Sequence, residues 1–312
     1  MQQEVFVKNT VVPVIVAIVF MVGMAGNGLL LTIFVRHKET RTLPNSMLIN
    51  LTVVDFLSLG VNVLLDYFLS IQPWPLGWLG CKFYVFFYYF FIAVSTYSVA
   101  IISVQKFVVL WQLPSLAWCQ QSQKTKYVLI ATVWGIGCIV SVPHAIMYAT
   151  NSEKDDCYSV SIEYRVPVYT GNLIVFCVVP LLITAVFSGL TAYRIRRSAR
   201  EISGETTGQQ QLQHSRVVSS TVLFALTVIF VVSNVPFFLF LFLVFVEGVI
   251  MSNWTLALVN LVTYSLRFLN CCLNPIVVLL MSKRYKKYIK RYCGQSEVQP
   301  ATSSGSTIET LL

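Results

Sequence analysis

The chain has 312 residues, 56% of them hydrophobic and only 11% charged, with a mean hydropathy of +0.72. A soluble domain carries roughly 25% charged residues, so this composition excludes an ordinary soluble core and predicts a polytopic membrane protein. The net charge of +9 does not indicate a nucleic-acid partner, because the basic residues fall in alternate loops rather than on one face.

A helix needs roughly 20 apolar residues to cross a hydrocarbon core of about 30 Å. In chain order, residues 11–35, 45–71, 83–105, 127–150, 166–193, 217–246 and 254–282 meet that requirement. Asp55 and Asp66 break the second run, and Arg267 is the only charge in the seventh. Backbone groups in lipid must be satisfied internally, and strand alternation is absent. The expected fold class is all-α, a seven-transmembrane helix bundle over residues 11–282.

Residues 1–10 read as a short tail without a signal peptide, so the first span is its own insertion signal. Residues 283–293 place Tyr285, Tyr288, Ile289 and Tyr292 at helical spacing among six cations. This predicts an amphipathic helix on the membrane surface, the alternative being a solvated basic tail. Cys293 at its end is a palmitoylation candidate, and residues 294–312 are expected to be a disordered cytoplasmic tail. The odd span count and the lack of internal repeats weigh against an inverted-repeat transporter.

Orientation follows from the loop cations. With the N-terminus outside, the inner side holds Arg36, Lys38, Arg41, Lys106, Lys124, Lys126, Arg194, Arg196, Arg197, Arg200 and Arg216, followed by the six cations of the amphipathic segment. Outside lie only Lys8, Lys82, Lys154 and Arg165. The expected location is the plasma membrane, multi-pass, with the N-terminus extracellular. On this topology Cys119 and Cys293 are cytosolic, while Cys138, Cys177, Cys271 and Cys272 lie within the bilayer. Only Cys81 and Cys157 then face an oxidising compartment, and a disulfide between them is expected to pin the largest outer loop across the bundle.

One motif per helix completes the pattern. Gly26-Asn27, Asn50-Leu51-Thr52-Val53-Val54-Asp55, Trp74-Pro75-Leu76-Gly77 with Cys81, Trp134, Pro180, Pro236 and Asn274-Pro275 appear in order along the spans. Together they resemble the rhodopsin-like G-protein-coupled receptors. Thr42-Leu43-Pro44-Asn45 and Asn270-Cys271-Cys272-Leu273-Asn274-Pro275 are most similar to the bombesin-type peptide receptors. The resemblance implies a heterotrimeric G protein and arrestin as partners and a peptide ligand. It also implies a sodium site at Asp55 with Asn27, Ser95, Asn270 and Asn274, the alternative being a hydrogen-bonded cluster without sodium.

The departures concern activation. The family's Asp-Arg-Tyr is replaced by Gln105-Lys106-Phe107, its span-six Cys-Trp-x-Pro by Ser233-Asn234-Val235-Pro236, and its Asn-Pro-x-x-Tyr by Asn274-Pro275-Ile276-Val277-Val278. The inner tyrosine of span five falls on Ser188, while Phe230 is kept. Gln105 cannot form the inactive-state ion pair, and Lys106 is a point charge where arginine offers a planar fork. Loss of the lock predicts basal signalling. Loss of the bracing tyrosines predicts weak signalling or a non-signalling protein that scavenges a ligand or modulates a partner receptor. The resemblance assigns the G-protein interface to Gln105, Lys106, Phe107, Arg194, Arg197 and Arg216.

Arg267 shares a helix face with Asn270 and Asn274, and helical rise puts it between the levels of Asp55 and Asp66. An Arg267–Asp66 ion pair flooring the ligand pocket is expected, with an Arg267–Asp55 pair as the alternative. Asp66, Tyr88, Asn234, Tyr264 and Arg267 form the expected pocket. Tyr88 stands where amine receptors of the family carry Asp, which argues against an amine ligand. His144 reads as a packed residue rather than a ligand contact, and the acidic loop with Glu153, Asp155, Asp156 and Glu163 suits a basic peptide. Asn253-Trp254-Thr255 is a sequon for glycosylation at Asn253. Ser296, Thr302, Ser303, Ser304, Ser306, Thr307 and Thr310 are candidate phosphorylation sites, and Thr310-Leu311-Leu312 fits PDZ-domain capture. No catalytic set is visible: His37, His144 and His214 share no nucleophile or metal spacing with other side chains, so an enzyme is not expected.

Overall fold

A computed structural model describes residues 6–42, 45–63, 74, 76–111, 123–151, 156–159, 163–201 and 207–292. Asp66, Glu153, Asp155, Cys119, Cys293 and the tail beyond it lie outside the described residues, and Asp156, Arg216 and Asn253 are described by backbone alone. Among the described residues, seven helices are long and apolar enough to cross a membrane: Val12–Arg36, Ser46–Val63, Gly77–Trp111, Lys124–Met147, Arg165–Arg197, Thr221–Phe245 and Trp254–Met281. They are spans one to seven below. The sixth belongs to a longer helix, Thr207–Phe245, and a short helix, Lys283–Tyr292, follows the seventh. The bundle thus has a disulfide end, where Cys81 lies, and a basic end, where the short helix packs.

Span three is the axis of the bundle. Its most apolar stretch is 72% buried inside protein, against 22% for spans one, four and five, whose remaining faces are left to lipid. Span three packs against spans two, four, five and six, while span seven closes the ring between six and one. Asn50 ties three helices, donating to Ser98 Oγ at 2.9 Å and accepting the Trp134 indole N–H at 2.8 Å. Small residues permit the close approaches. A Cβ on Gly137 would stand 2.7 Å from Val94 of span three, and one on Gly23 would stand 2.5 Å from Leu59 of span two.

Proline removes a helical N–H and frees a carbonyl one turn back, which lipid cannot satisfy. Pro275 leaves the carbonyl of Cys271, and the Asn27 side chain donates to it at 2.8 Å. The proline ring lies over Gly26, where a Cβ would stand 2.9 Å from it. Gly26-Asn27 is therefore the seat and the donor for the kink in span seven. Before Pro180 the chain widens into a π-helical turn, Ile174–Val178, and the carbonyl of Val175 accepts from the Tyr97 hydroxyl at 2.9 Å.

The largest departure from the sequence expectation lies at the disulfide end. Span four stops at Met147 instead of running to Thr150, and Tyr148–Asn151 forms a strand, β1, paired antiparallel with β2, Asp156–Ser159. Lys82 holds the exit by donating to the carbonyls of Ala145, Ile146 and Tyr148 at 3.1, 3.3 and 3.1 Å. Hairpin and bundle are joined by the Cys81–Cys157 disulfide, with Cα atoms 5.6 Å apart. Span three begins earlier than its apolar run, at Gly77, whose φ of +63° suits glycine. The Trp74 indole donates to the Gly77 carbonyl at 2.8 Å, which explains the spacing of those two residues.

Candidate functional site

At mid-bundle, Asp55 is fully buried. Its Oδ1 accepts from Ser95 at 2.7 Å and its Oδ2 from Asn274 at 2.8 Å. Asn270 stands one step out, donating to Ser95 Oγ at 3.4 Å. Asn27, assigned to this cluster from the sequence, does not bond Asp55: its amide serves Gly23 and Cys271, because Pro275 creates the stronger demand. The Oδ1 atoms of Asn27, Asn270 and Asn274 are buried without a hydrogen-bond partner among the described residues. A carboxylate among spare carbonyl oxygens is the chemistry that a hard cation or water satisfies. The residues therefore fit the expected sodium ion.

Towards the disulfide end, Arg267 is 5% exposed and enclosed by rings. Its guanidinium carbon lies 4.4 Å from the centroids of Tyr88 and Phe268, 5.1 Å from Phe237 and 5.4 Å from Tyr264. Among the described residues it forms no ion pair, with Asp55 or otherwise. The expected pair with Asp66 lies outside the described residues. Two cavities flank this cage. One, of about 190 Å³, is lined by Tyr84, Tyr88, Tyr89, Tyr148, Tyr169 and Phe237 among others. The second, of about 430 Å³, lies between spans one, two and seven and includes Tyr264 and Phe268 in its wall. Asn234, expected in the pocket, is turned to its own helix: it is buried and donates to the Phe230 carbonyl at 3.2 Å. His144 stacks on Tyr89 with ring centroids 3.6 Å apart, a packing role as expected.

At the basic end the residues assigned to a partner interface divide. Lys106 lines a small cavity of about 40 Å³ with Asn45, Leu226, Val278 and Ser282. Gln105 has a buried Oε1 without a hydrogen-bond partner among the described residues. Phe107 packs away from them, edge-on to Phe187 of span five at 5.2 Å and against Trp111 at 5.4 Å. Arg194 lies over the Trp111 ring at 5.5 Å, and Arg197 is exposed. Where the family's tyrosines are missing, Ser188 meets Thr227 of span six at 3.2 Å, and Val278 is buried with Leu30, Ile33 and Tyr285. Spans five and six are thus joined by a hydroxyl pair, and span seven by apolar packing.

The sequence reading missed a clip at this end. The loop between spans one and two docks on the short helix, which buries Tyr285 and Tyr288 and exposes Lys286, Lys287, Lys290 and Arg291 to differing degrees. His37 stacks on Tyr288 at 4.0 Å and its Nε2 meets Tyr292 Oη at 3.0 Å. Glu39 accepts from the Tyr288 hydroxyl at 2.8 Å and lies 3.3 Å from His37 Nδ1. Only the i, i+4 spacing of Tyr288 and Tyr292 signals such a cluster in sequence.

The Glu39 backbone amide, and next the Tyr288 hydroxyl, hold its carboxyl below the ordinary 4.5. A depressed carboxylate stabilises the docked form above its unfolded value, and that support is lost as pH falls through the folded one. Amide protection in Lys283–Tyr292 is expected to hold at neutral pH and decline below 4.5. In Glu39→Gln this acid-dependent loss should disappear, and hydrogen exchange against pH measures both.

Comparison with known proteins agrees with this architecture. The family described as 7 transmembrane receptor (rhodopsin family) matches residues 26–277. The Tachykinin-like peptides receptor 86C of Drosophila melanogaster is 24% identical over 299 residues, covering 91% of this chain and 58% of its own length. The chain therefore spans less than two thirds of that relative. Bombesin receptor subtype-3 of Ovis aries is 24% identical over 318 residues, covering 95% of this chain and 78% of its own. A purinoceptor of Homo sapiens is 27% identical over 314 residues, covering 96% of this chain and 82% of its own. The match runs from the Gly26-Asn27 seat to the kink at Pro275 that it supports, and the chain belongs to the rhodopsin family of seven-transmembrane receptors.

Proposed function

We propose that the chain is a peptide-type G-protein-coupled receptor, with its disulfide end outside the cell and its basic end in the cytosol, and that it signals without ligand. The tachykinin-like and bombesin receptors among its relatives support a peptide ligand. The loop cations support the orientation.

The observation that carries basal signalling is the state of Lys106. It is half-buried at the wall of the basic-end cavity, has no ion-pair partner among the described residues, and follows a glutamine whose side-chain oxygen is unpartnered among them. In the family an aspartate before this position restrains the cation in the resting state. Here glutamine stands in that place, and Phe107 packs on Phe187 of span five. Lys106, together with Arg194, Arg197 and Arg216, then meets the G protein. Sodium held by Asp55, Ser95 and Asn274 would neutralise the buried carboxylate and favour the resting arrangement. Phosphorylated serines of the tail would recruit arrestin, and Thr310-Leu311-Leu312 a PDZ domain. Palmitoylation at Cys293 and glycosylation at Asn253 complete the reading.

The test is G-protein activation in cells without added ligand, as surface level is raised stepwise. Signal is expected to climb with receptor number and to fall several-fold in Lys106→Ala at equal surface level. A flat response across the G-protein classes would reject basal signalling. It would favour the second reading, a scavenger or partner modulator, to which the missing tyrosines at Ser188 and Val278 point.

A further inference from the structure

The geometry points to a ligand carboxylate bound side-on by Arg267, and hence to a peptide that inserts a free acid group, most simply its C-terminus, between spans three, six and seven. This deepens the reading above and rests on the disulfide end being the ligand face.

The argument begins with which nitrogens are unpaired. Arg267 is 5% exposed, yet its Nε and Nη2 have no hydrogen-bond partner among the described residues. Those two N–H groups lie on one edge of the guanidinium and point the same way. Their spacing matches the two oxygens of a carboxylate, and such a bidentate pair is among the strongest hydrogen-bonded contacts in proteins. A buried polar donor without a partner is costly unless something arrives to satisfy it.

The surroundings supply what the fork lacks. Four rings lie within 5.4 Å of the guanidinium carbon, and their faces soften the burial of the cation without using its N–H donors. The Tyr88 ring that covers the guanidinium also lines the 190 Å³ cavity. That ring is shared by the cage and the cavity, so a ligand acid reaching the fork from the cavity would displace it. The cavity wall carries five tyrosines and, among its lining residues, no acidic side chain. Hydroxyl donors with one cation behind them suit an anion on an aromatic or aliphatic body. A single guanidinium matches a monoanion better than a phosphate dianion, which would need a second cation.

The experiment measures thermal unfolding of the purified full chain in detergent, without a G protein. The probes are acetate, benzoate, N-acetylphenylalanine, its amide, and inorganic phosphate. The three carboxylates are expected to raise the unfolding midpoint in a saturable way, while amide and phosphate do not. In Arg267→Gln the carboxylate shift should vanish. In Arg267→Lys, which keeps the charge but loses the fork, apparent affinity should fall about 10- to 100-fold. A residue that only packs would change the baseline midpoint and leave no difference between acid and amide. No shift with any carboxylate, an equal shift with the amide, a larger shift with phosphate, or a shift that survives Arg267→Gln would each overturn the assignment. Because the readout is binding alone, a silent result in the signalling test leaves this one intact, and the reverse also holds.

Discussion

Replacing Cys81 or Cys157 with serine is expected to destabilise the disulfide end by about 4 kcal/mol and to remove most protein from the cell surface. The bond closes a loop with a sequence separation of 76. In the chain-entropy account a loop of that length costs about 4 kcal/mol when it is left open. The structure adds a second contribution. Cys157 pairs in register with Thr150 of β1, so the bond holds both strands above the bundle. Tyr148 lies on β1 and lines the tyrosine cavity, so an unpinned hairpin also deforms the candidate ligand site. The three carbonyl contacts from Lys82 remain in either variant, and they anchor the end of span four and only the first residue of the hairpin. The single and double serine variants should therefore be equally impaired in midpoint and surface level. A double variant more impaired than either single would show that the thiols contribute something besides the bond.

Asn274→Ala is expected to cost about 2 to 3 kcal/mol, the value of a hydrogen bond to a charged group whose loss leaves a buried oxygen unsatisfied. Asp55 Oδ2 accepts from Asn274 at 2.8 Å, and Ser95 serves the other oxygen. The exchange of partners gives a sharper test. Asn274→Asp alone puts two carboxylates together and should be worse than alanine. Asp55→Asn alone removes the charge, and the double exchange rebuilds a donor–acceptor pair with the roles reversed. The double variant is expected to recover most of the loss, with a coupling energy of roughly 1 to 3 kcal/mol in thermal or denaturant unfolding. Additive losses would show that the two side chains are neighbours without mutual dependence. Sodium should stabilise the wild type and leave Asp55→Asn unmoved.

The number of spans, the membrane and the disulfide pair are legible from residue order, and the Asp55–Ser95–Asn274 cluster from the family resemblance that the motifs around Asp55 and Asn274 carry. A hydrophobic run of about 20 residues is a one-dimensional quantity. A bilayer removes the alternatives to a helix, because unsatisfied backbone groups cannot be left in lipid. The cysteine pair follows from the expected topology, which leaves only two of the eight facing an oxidising compartment.

Partner choice was decided in three dimensions. Asn27 and Asn234 look like site residues in sequence, yet each serves a helix backbone, Asn27 because Pro275 exposes the carbonyl of Cys271 and Asn234 by bonding the carbonyl of Phe230. Residues 148–150 belong to the expected fourth span, but Lys82 holds the helix exit and Tyr148–Asn151 pairs with β2 instead. The ring cage around Arg267 and the His37–Glu39–Tyr288 clip join residues that lie far apart in the chain, Arg267 with Tyr88 and Glu39 with Tyr288. Such meetings depend on how far each helix is rotated about its axis and how closely it approaches its neighbours. Those are set by contacts such as Gly23 on Leu59 and Gly26 on Pro275. The sequence of one helix records which residues are apolar, whereas the packing of all seven records which side chains are within reach of one another.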